Sequence, residues 1–532
     1  MSLCPGYARR KVPLPRSMIR EAAAAAAACP APAARYLYDE VRSRHPVIPS
    51  SRYLMLTRPD SAHTYPLLIN GALMPGRGTP VPIHAPFDGA LVGTAGTASA
   101  ADVTAAIDAA AHAAAEARAM PSHARAEVLE RIHDLATARR DDLAVLLALE
   151  AGKPIKQARI EIDRMLFIFR DVAAEAMRIG GDVMPLDRMP HGAGRWGITR
   201  RFPLSPISGI VPFNFPLLLA AHKIGPAIAC GATMVLKAPP QDPLCVLVLG
   251  ELLKDAGYPK GALNVLQVPV EEATPMLDDP RIRMITFTGS ARAGWYIRQR
   301  AHTKKVALEL GGNAGVVVEP DADLDHAAAR CAAGGFAYAG QSCISVQRIL
   351  VHRDVFTGFV DRLVTRVKAL KPGDPLDEQS DLGPLIDEAA AARAEIWIKE
   401  AVAEGAELAI GGGRTGAVLE PTVLLRTTAE MKVNCEEVFA PVVTVRPYSN
   451  YADALATIND SPYGLQAGVF TNSLPKAWEA YETLDVGGVV INDVSGYRVD
   501  HMPYGGVKAS GLGREGVKYA IEEMTEGRLL VI

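Results

Sequence analysis

Cys343 and Glu309 stand 34 residues apart (343 − 309), the thiol in GGFAYAGQSCISVQRILV and the carboxylate in KVALELGGNAG. A thiol and a carboxylate brought together can run a covalent oxidation. The thiolate adds to a carbonyl carbon, hydride leaves to a nicotinamide, and the carboxylate activates water against the resulting thioester. A free cysteine in an apolar stretch is ordinarily a small core residue. Here Gly334, Gly335 and Gly340 precede the thiol and Gln341 and Ser342 adjoin it, so the backbone can approach closely with polar groups at hand. Glu309 lies within VALEL. Burial of that carboxylate raises its pKa, which suits a general base.

Several elements must position such a pair. From 101 to about 181 alanine-rich and charged residues repeat at helical spacing, predicting surface helices of an outer layer. GGDVMPLDRMPHGAGRWGITRRF reads as an extended, hairpin-like excursion. The short apolar runs ISGIVPF, TMVLKA, ALNVLQV, MITFTGS and KVALEL then alternate with helical segments, the pattern of a βαβ array with a parallel sheet. A second α/β array follows, from DADLDHAAARCAAGG through QRILVH, FTGFVDRLVTRVKAL, AAARAEIWIKEAVAEG, PTVLL and VVTVRPY.

The chain has 532 residues, too many for one ordinary core, and a formal net charge of −3. That charge carries no bias toward nucleic acid or an anionic membrane, and a small-molecule partner is expected. Seven cysteines without a CxxC pair indicate neither a disulfide framework nor a zinc site. No apolar run reaches a bilayer span, since LLLAAHKIGPAIAC is broken by His222, Lys223 and Pro226. Residues 1–63 differ from the rest. Arg9, Arg10, Lys11, Arg16 and Arg20 face only Glu21 before Asp39, a composition shared by organelle transit peptides and by poorly ordered extensions. The expectation is a cytoplasmic protein, or one of an organelle matrix if this segment is a transit peptide.

Two strings fit GxGxxG, at Gly411–Gly416 and Gly511–Gly516. Neither follows a strand and opens a helix as the dinucleotide fingerprint requires. The first reads as a turn between strands, and the second follows the loop PYGGVKAS. MITFTGSARAG is the better phosphate candidate. Its strand ends at Thr288, Gly289 and Ser290 turn the chain, and a helix begins at Ala291, so free amides and the helix dipole face an anion.

Together with FNFP around Asn214, FTGS ending at Ser290, EEVFAP around Glu437 and PYGGVKASGLGRE, these motifs occur in one order over about residues 64 to 532. The chain resembles the aldehyde dehydrogenases. The resemblance implies the α/β aldehyde dehydrogenase fold: a Rossmann-like cofactor domain at 64–184 and 204–311, an α/β catalytic domain at 312–509, and a small β oligomerisation element at 185–203 and 510–532. It implies Cys343 as nucleophile, Glu309 as the deacylation base, and Asn214 with the Cys343 backbone N–H as oxyanion donors. Lys223 and Glu515 match positions assigned to a proton relay. Pro212, Phe213, Lys237, Pro240, Gly289, Ser290, Leu310, Glu437 and Phe439 fall at cofactor-binding positions, for NAD or NADP, with no metal. Many NAD-preferring relatives carry glutamate where Pro240 stands, so the charge that would repel a 2′-phosphate is missing. The resemblance also implies a homodimer or homotetramer.

The closing stretch, with QSCISVQR, looks most like enzymes of lactaldehyde, glyceraldehyde phosphate, succinate semialdehyde or phosphonoacetaldehyde. Arg164 and Arg498 are candidates to meet a substrate anion. Phe215 and Ser342 flank the catalytic positions without adding positive charge, which favours a monoanionic or neutral hydroxylated aldehyde. The CoA-acylating branch typically lacks the glutamate that Glu309 matches, and a catalytically retired binding protein should have lost the thiol or the base.

Overall fold

The computed structural model describes residues 62–532. The expected extension at 1–63, with its transit-peptide reading, lies outside the described residues except for its last two. One eight-stranded sheet has at its centre five parallel strands, in the order Lys305–Glu309, Met284–Thr288, Ile207–Ile210, Met234–Lys237 and Leu263–Leu266. MVLK, LNVL and MITFT are buried along their whole length, as strands covered on both faces must be. The chain starts at Ile207–Ile210, adds two strands on one side, then crosses back to lay Met284–Thr288 and Lys305–Glu309 on the other. The switch point therefore falls between the strand that leads into Pro212–Asn214 and the strand that leads into Gly289–Ser290. Parallel sheets open a crevice beyond the strand ends at such a point.

A second sheet of seven strands is parallel except at one edge. Its strand order is Glu407–Ile410, Thr422–Leu425, Val442–Tyr448, Val346–His352, Ala314–Val318, Gln466–Phe470 and Gly488–Ile491. All seven fall within 312–509. The excursion forms the hairpin Val183–Pro185 with Trp196–Pro203, and Thr525–Val531 pairs antiparallel with its second strand. Val183, Trp196, Leu529 and Leu530 remain exposed on this small sheet.

Two expectations need correction. The segment from 101 to 181 is not simply an outer layer. Helix Ile155–Ala176 buries Glu161, Ile162, Met165, Phe169 and Val172, and packs against helix Pro216–Cys230, which is buried along its whole length. Charged residues on its other face had made it read as a surface helix. At the C-terminus, Gly511–Leu512 pairs with Leu308 and Glu309 at the edge of the eight-stranded sheet, and helix Val517–Glu523 follows. Only Thr525–Val531 joins the small sheet, so the segment from 510 divides between two sheets. GGGRTG forms the expected turn, with Gly411 and Gly412 at φ +83° and +91° between short strands. Cys230, Cys245, Cys331, Cys343 and Cys435 are free. Among the described residues no helix is long and apolar enough to cross a membrane.

Candidate active site

A cavity of about 780 Å³ opens at the switch point, between the two large sheets. Cys343, Glu309 and Asn214 line it together with Pro212, Phe213, Phe215, Gly289, Ser290, Leu310, Ser342, Glu437, Phe439, Arg164, Arg498 and Glu515. Its wall does not include Lys223, Lys237 or Pro240.

The nucleophile candidate is held by unusual backbone. Helix Leu324–Phe336 ends, and Tyr338, Ala339 and Gly340 all take left-handed φ, at +48°, +51° and +71°. Tyr338 and Ala339 carry side chains, so this turn is strained, as turns at functional sites often are. A Cβ on Gly340 would collide with the Ala440 backbone, and one on Gly335 would come 2.6 Å from Val443. Here glycine is required for close approach. The Cys343 Sγ lies 2.9 Å from the Tyr504 hydroxyl. Burial pushes the thiol up to about 11, against the Tyr504 hydrogen bond and the Arg498 charge, with Glu437 and Glu309 adding to the rise.

Glu309 ends the strand Lys305–Glu309, and its Oε2 is buried with no hydrogen-bond partner. Burial, reinforced by the neighbouring Glu515 charge, holds its pKa well above the carboxylate range, against Arg498, Lys223 and Arg514. A proton-avid carboxylate with an uncommitted oxygen is suited to take a proton from water. A water-sized cavity of about 20 Å³ behind it is lined by His222, Thr286 and Glu515.

Asn214 is fixed on both sides. Its Oδ1 accepts from the Phe215 amide at 3.1 Å, and its Nδ2 donates to the Gln341 carbonyl at 3.1 Å. The second Nδ2 proton remains to be directed into the cavity. The Asn214 carbonyl accepts from Lys153 Nζ at 2.7 Å. Lys153 is wholly buried, ion-paired to Glu161, and lies 4.1 Å from the Phe215 ring centroid and 4.3 Å from that of Tyr338. Glu161 Oε1 also accepts the amides of Leu217 and Leu218, the first turn of helix Pro216–Cys230. This buried pair thus ties Asn214 to the helix that carries Lys223.

Lys223 and Glu515, read as a proton relay, behave differently from each other. Lys223 donates to Thr286 Oγ1 at 3.1 Å and Thr288 Oγ1 at 2.8 Å, and burial lowers its pKa. Burial alone would raise Glu515. The charges of His222, Arg498 and Lys223 and the Arg498 hydrogen bond outweigh it and hold Glu515 at about 2. The resting carboxylate is thus held ionised beside Lys223 and Arg498. Both arginines expected to meet a substrate anion are already paired. Arg164 makes two bonds to Asp500, at 2.9 and 2.6 Å, and Arg498 bonds Glu515 at 2.5 Å. His222 sits among them, 3.3 Å from Asp500 and 3.1 Å from Arg498.

The cofactor candidates fall into two groups. Ser290 caps helix Ala291–Arg300, its Oγ accepting from the Ala293 amide at 3.4 Å. Glu437 accepts the Gly312 amide at 2.9 Å, and a Cβ on Gly311 would collide with its carboxylate. Phe213 and Phe439 stack edge to face at 5.9 Å. This cradle of helix N-terminus, carboxylate, aromatic rings and glycines close to the strand ends fits a dinucleotide. Lys237 does not line the cavity, although its carbonyl accepts the Val211 amide at 3.2 Å, one residue before Pro212. Its Nζ donates to the Ala238 carbonyl at 3.2 Å, burial lowers it to about 8, and Pro240 is exposed. The sequence reading missed Tyr504, Lys153, His222 and Asp500. Tyr504 was in view within PYGG, whereas nothing local marks the other three.

The sequence profile of the Aldehyde dehydrogenase family matches residues 74–529. A 3-sulfolactaldehyde dehydrogenase of Priestia megaterium is 46% identical over 409 residues, covering 77% of this chain and 86% of that one. The crystal structure of aldehyde dehydrogenase 21 from Physcomitrella patens, in complex with the reaction product succinate, superposes with a TM-score of 0.87. It is 41% identical and covers 88% of this chain and 98% of its own. Glyceraldehyde-3-phosphate dehydrogenase GapN from Methanocaldococcus jannaschii, complexed with NADP, superposes at 0.83 with 37% identity, covering 86% and 99%. With thiol, carboxylate and cradle gathered at one switch point and the match running through both large sheets, the chain belongs to the aldehyde dehydrogenase family.

Proposed function

We propose that this protein oxidises small polar or monoanionic aldehydes to carboxylic acids with NAD or NADP, through a covalent thioester on Cys343. The observation that carries the reading is the convergence of Cys343, Glu309 and Asn214 on one cavity wall. After its proton has left to a base or to solvent, the Cys343 sulfur adds to the carbonyl carbon, forming a C–S bond and placing the negative charge on the former carbonyl oxygen. Asn214 Nδ2 and the Cys343 backbone N–H donate to that oxygen. Loss of such a donor costs about 3 kcal/mol in the barrier. When bound, the nicotinamide cofactor supplies the hydride acceptor. Glu309 then takes a proton from water, whose oxygen attacks the thioester carbon. The C–S bond breaks, and the acid and the free thiol result.

Pro212, Phe213, Gly289, Ser290, Leu310, Glu437 and Phe439 would hold the dinucleotide. The relatives' names support the substrate class: sulfolactaldehyde, a succinate product and glyceraldehyde 3-phosphate are all anionic at one end. Arg164 and Arg498 line the same cavity as Cys343. Each is engaged by a carboxylate, so the residual positive charge they offer the cavity is small and suits one negative group better than two. The presence of Glu309 favours release by water over release to CoA.

The test is a panel of short aldehydes (lactaldehyde, sulfolactaldehyde, succinate semialdehyde, an uncharged alkyl aldehyde) assayed with NAD and NADP separately, with and without CoA. Expected are carboxylate products, independence from CoA, and higher kcat/KM for the anionic members. Cys343→Ala should abolish turnover while cofactor affinity stays near wild type. A Cys343→Ala variant that still oxidises aldehydes would overturn the mechanism.

A further inference from the structure

Tyr504 lines the cavity, and its geometry bears on the nucleophile. Its hydroxyl is 2.9 Å from the Cys343 sulfur, and the residue is only 3% exposed. Its backbone cannot drift. The Tyr504 amide donates to the Glu515 carbonyl at 2.9 Å, and the Glu515 amide donates back at 2.6 Å. Gly505 follows at φ +154°, and a Cβ there would stand 3.0 Å from Glu309 Oε1, so the base runs directly past this turn.

Behind the ring lies a cation. The Arg498 guanidinium is 3.8 Å from the Tyr504 ring centroid, fixed there by Glu515 at 2.5 Å and His222 at 3.1 Å. A positive charge against a ring face interacts with the π-electrons, and it draws electron density from the phenol oxygen. The O–H becomes a stronger donor.

We propose that Tyr504, backed by Arg498, is the hydrogen-bond donor that holds the Cys343 sulfur in place and stabilises its thiolate. The proposal rests on Cys343 being the nucleophile. While the thiol keeps its proton, either partner can donate. Once that proton has left to a base or to solvent, only the Tyr504 O–H can, and the bond becomes charge-assisted. The phenol keeps its own proton, because burial holds its pKa well above the ordinary tyrosine value. As the C–S bond forms, charge passes from sulfur to the substrate oxygen and the Tyr504 bond weakens. Tyr504 therefore raises the thiolate fraction at some cost in intrinsic nucleophilicity.

The experiment measures the rate at which Cys343 reacts with dipyridyl disulfide as a function of pH in the full-length protein without cofactor. The Cys343→Ser background is subtracted to remove the other cysteines. In Tyr504→Phe the midpoint should move up by about one pH unit, the size of one charge-assisted hydrogen bond. The plateau above the midpoint should rise about threefold, because a more basic thiolate is a better nucleophile. A tyrosine that only packs would leave both quantities where they are. An unchanged or lowered midpoint overturns the proposal. If Tyr504→Phe does not fold, site-specific replacement of Tyr504 by 3-fluorotyrosine, whose more acidic O–H is the stronger donor, decides the matter. A lowered Cys343 midpoint supports the donor role, and an unchanged or raised one overturns it. These readouts need no aldehyde turnover, so they fail independently of the nucleophile assignment, which is tested by NAD(P) reduction in Cys343→Ser.

Discussion

Glu309 and Glu437 are both carboxylates raised by burial, yet pH should act on them in different ways. Removal of Glu309, the proposed base, should separate the two half-reactions. Glu309→Gln is expected to give a burst of reduced cofactor near one per site and then slow turnover, because hydride leaves before water is needed. Stopped-flow absorbance of the reduced nicotinamide checks this, and a steady-state rate equal to wild type would remove Glu309 from the mechanism. Glu437 is pushed up to about 7 by burial, against the Gly312 amide and Arg393. A carboxylate whose folded pKa exceeds its unfolded one contributes stability that is present at low pH and lost as pH rises through about 7. Its ionised form is the better acceptor for ribose hydroxyls. Dinucleotide binding should therefore tighten as pH rises through about 7, and Glu437→Gln should flatten that dependence in a calorimetric or fluorescence titration.

Among the elements, the helix pair Ile155–Ala176 and Pro216–Cys230 depends on one buried ion pair. Lys153→Met would leave Glu161 without its cation and the Asn214 carbonyl without its donor. Breaking a buried pair from one side costs about 3–5 kcal/mol. The expected outcome is a clear fall in thermal melting temperature together with a lower kcat from a misplaced Asn214. A variant that melts like wild type would show that the pair holds nothing. Nothing in the local sequence marked Lys153, since its partners Glu161, Asn214, Phe215 and Tyr338 are gathered only by the fold. The strands were legible because short, wholly apolar runs between helices admit little else, and Cys343, Glu309 and Asn214 were legible because each sits in a tightly turning motif. His222, Asp500 and Arg498 were harder to read. Their meaning lies in contacts spanning most of the chain, and charge alone made the arginines look free when both are paired. The helix Ile155–Ala176 is hard to place for a related reason: the charged residues of one face mask the apolar face of Ile162, Met165, Phe169 and Val172 that packs inward.

At the scale of the whole molecule, the small sheet of Val183–Pro185, Trp196–Pro203 and Thr525–Val531 leaves apolar side chains and strand edges uncovered. Such edges invite pairing with another chain. A second copy of this protein is the proposed partner, as a homodimer or a dimer of dimers. Ending the chain after Glu526 removes most of Thr525–Val531 and should give monomers or aggregates by light scattering. A fully active, well-behaved monomer would count against the assembly.

The pKa of Cys343 has a consequence for how the enzyme ages. Peroxide attacks thiolates, and a thiol pushed up to about 11 is almost entirely protonated near neutrality. The resting protein should pass through an oxidative burst with its active cysteine intact, where an enzyme with a standing thiolate would be driven to sulfenic and then sulfinic acid. Peroxide inactivation should accordingly be slow at neutral pH and accelerate steeply toward alkaline pH, with the peptide carrying Cys343 gaining oxygen in step with lost activity. Rapid loss at neutral pH would mean that the thiol is ionised before any substrate arrives.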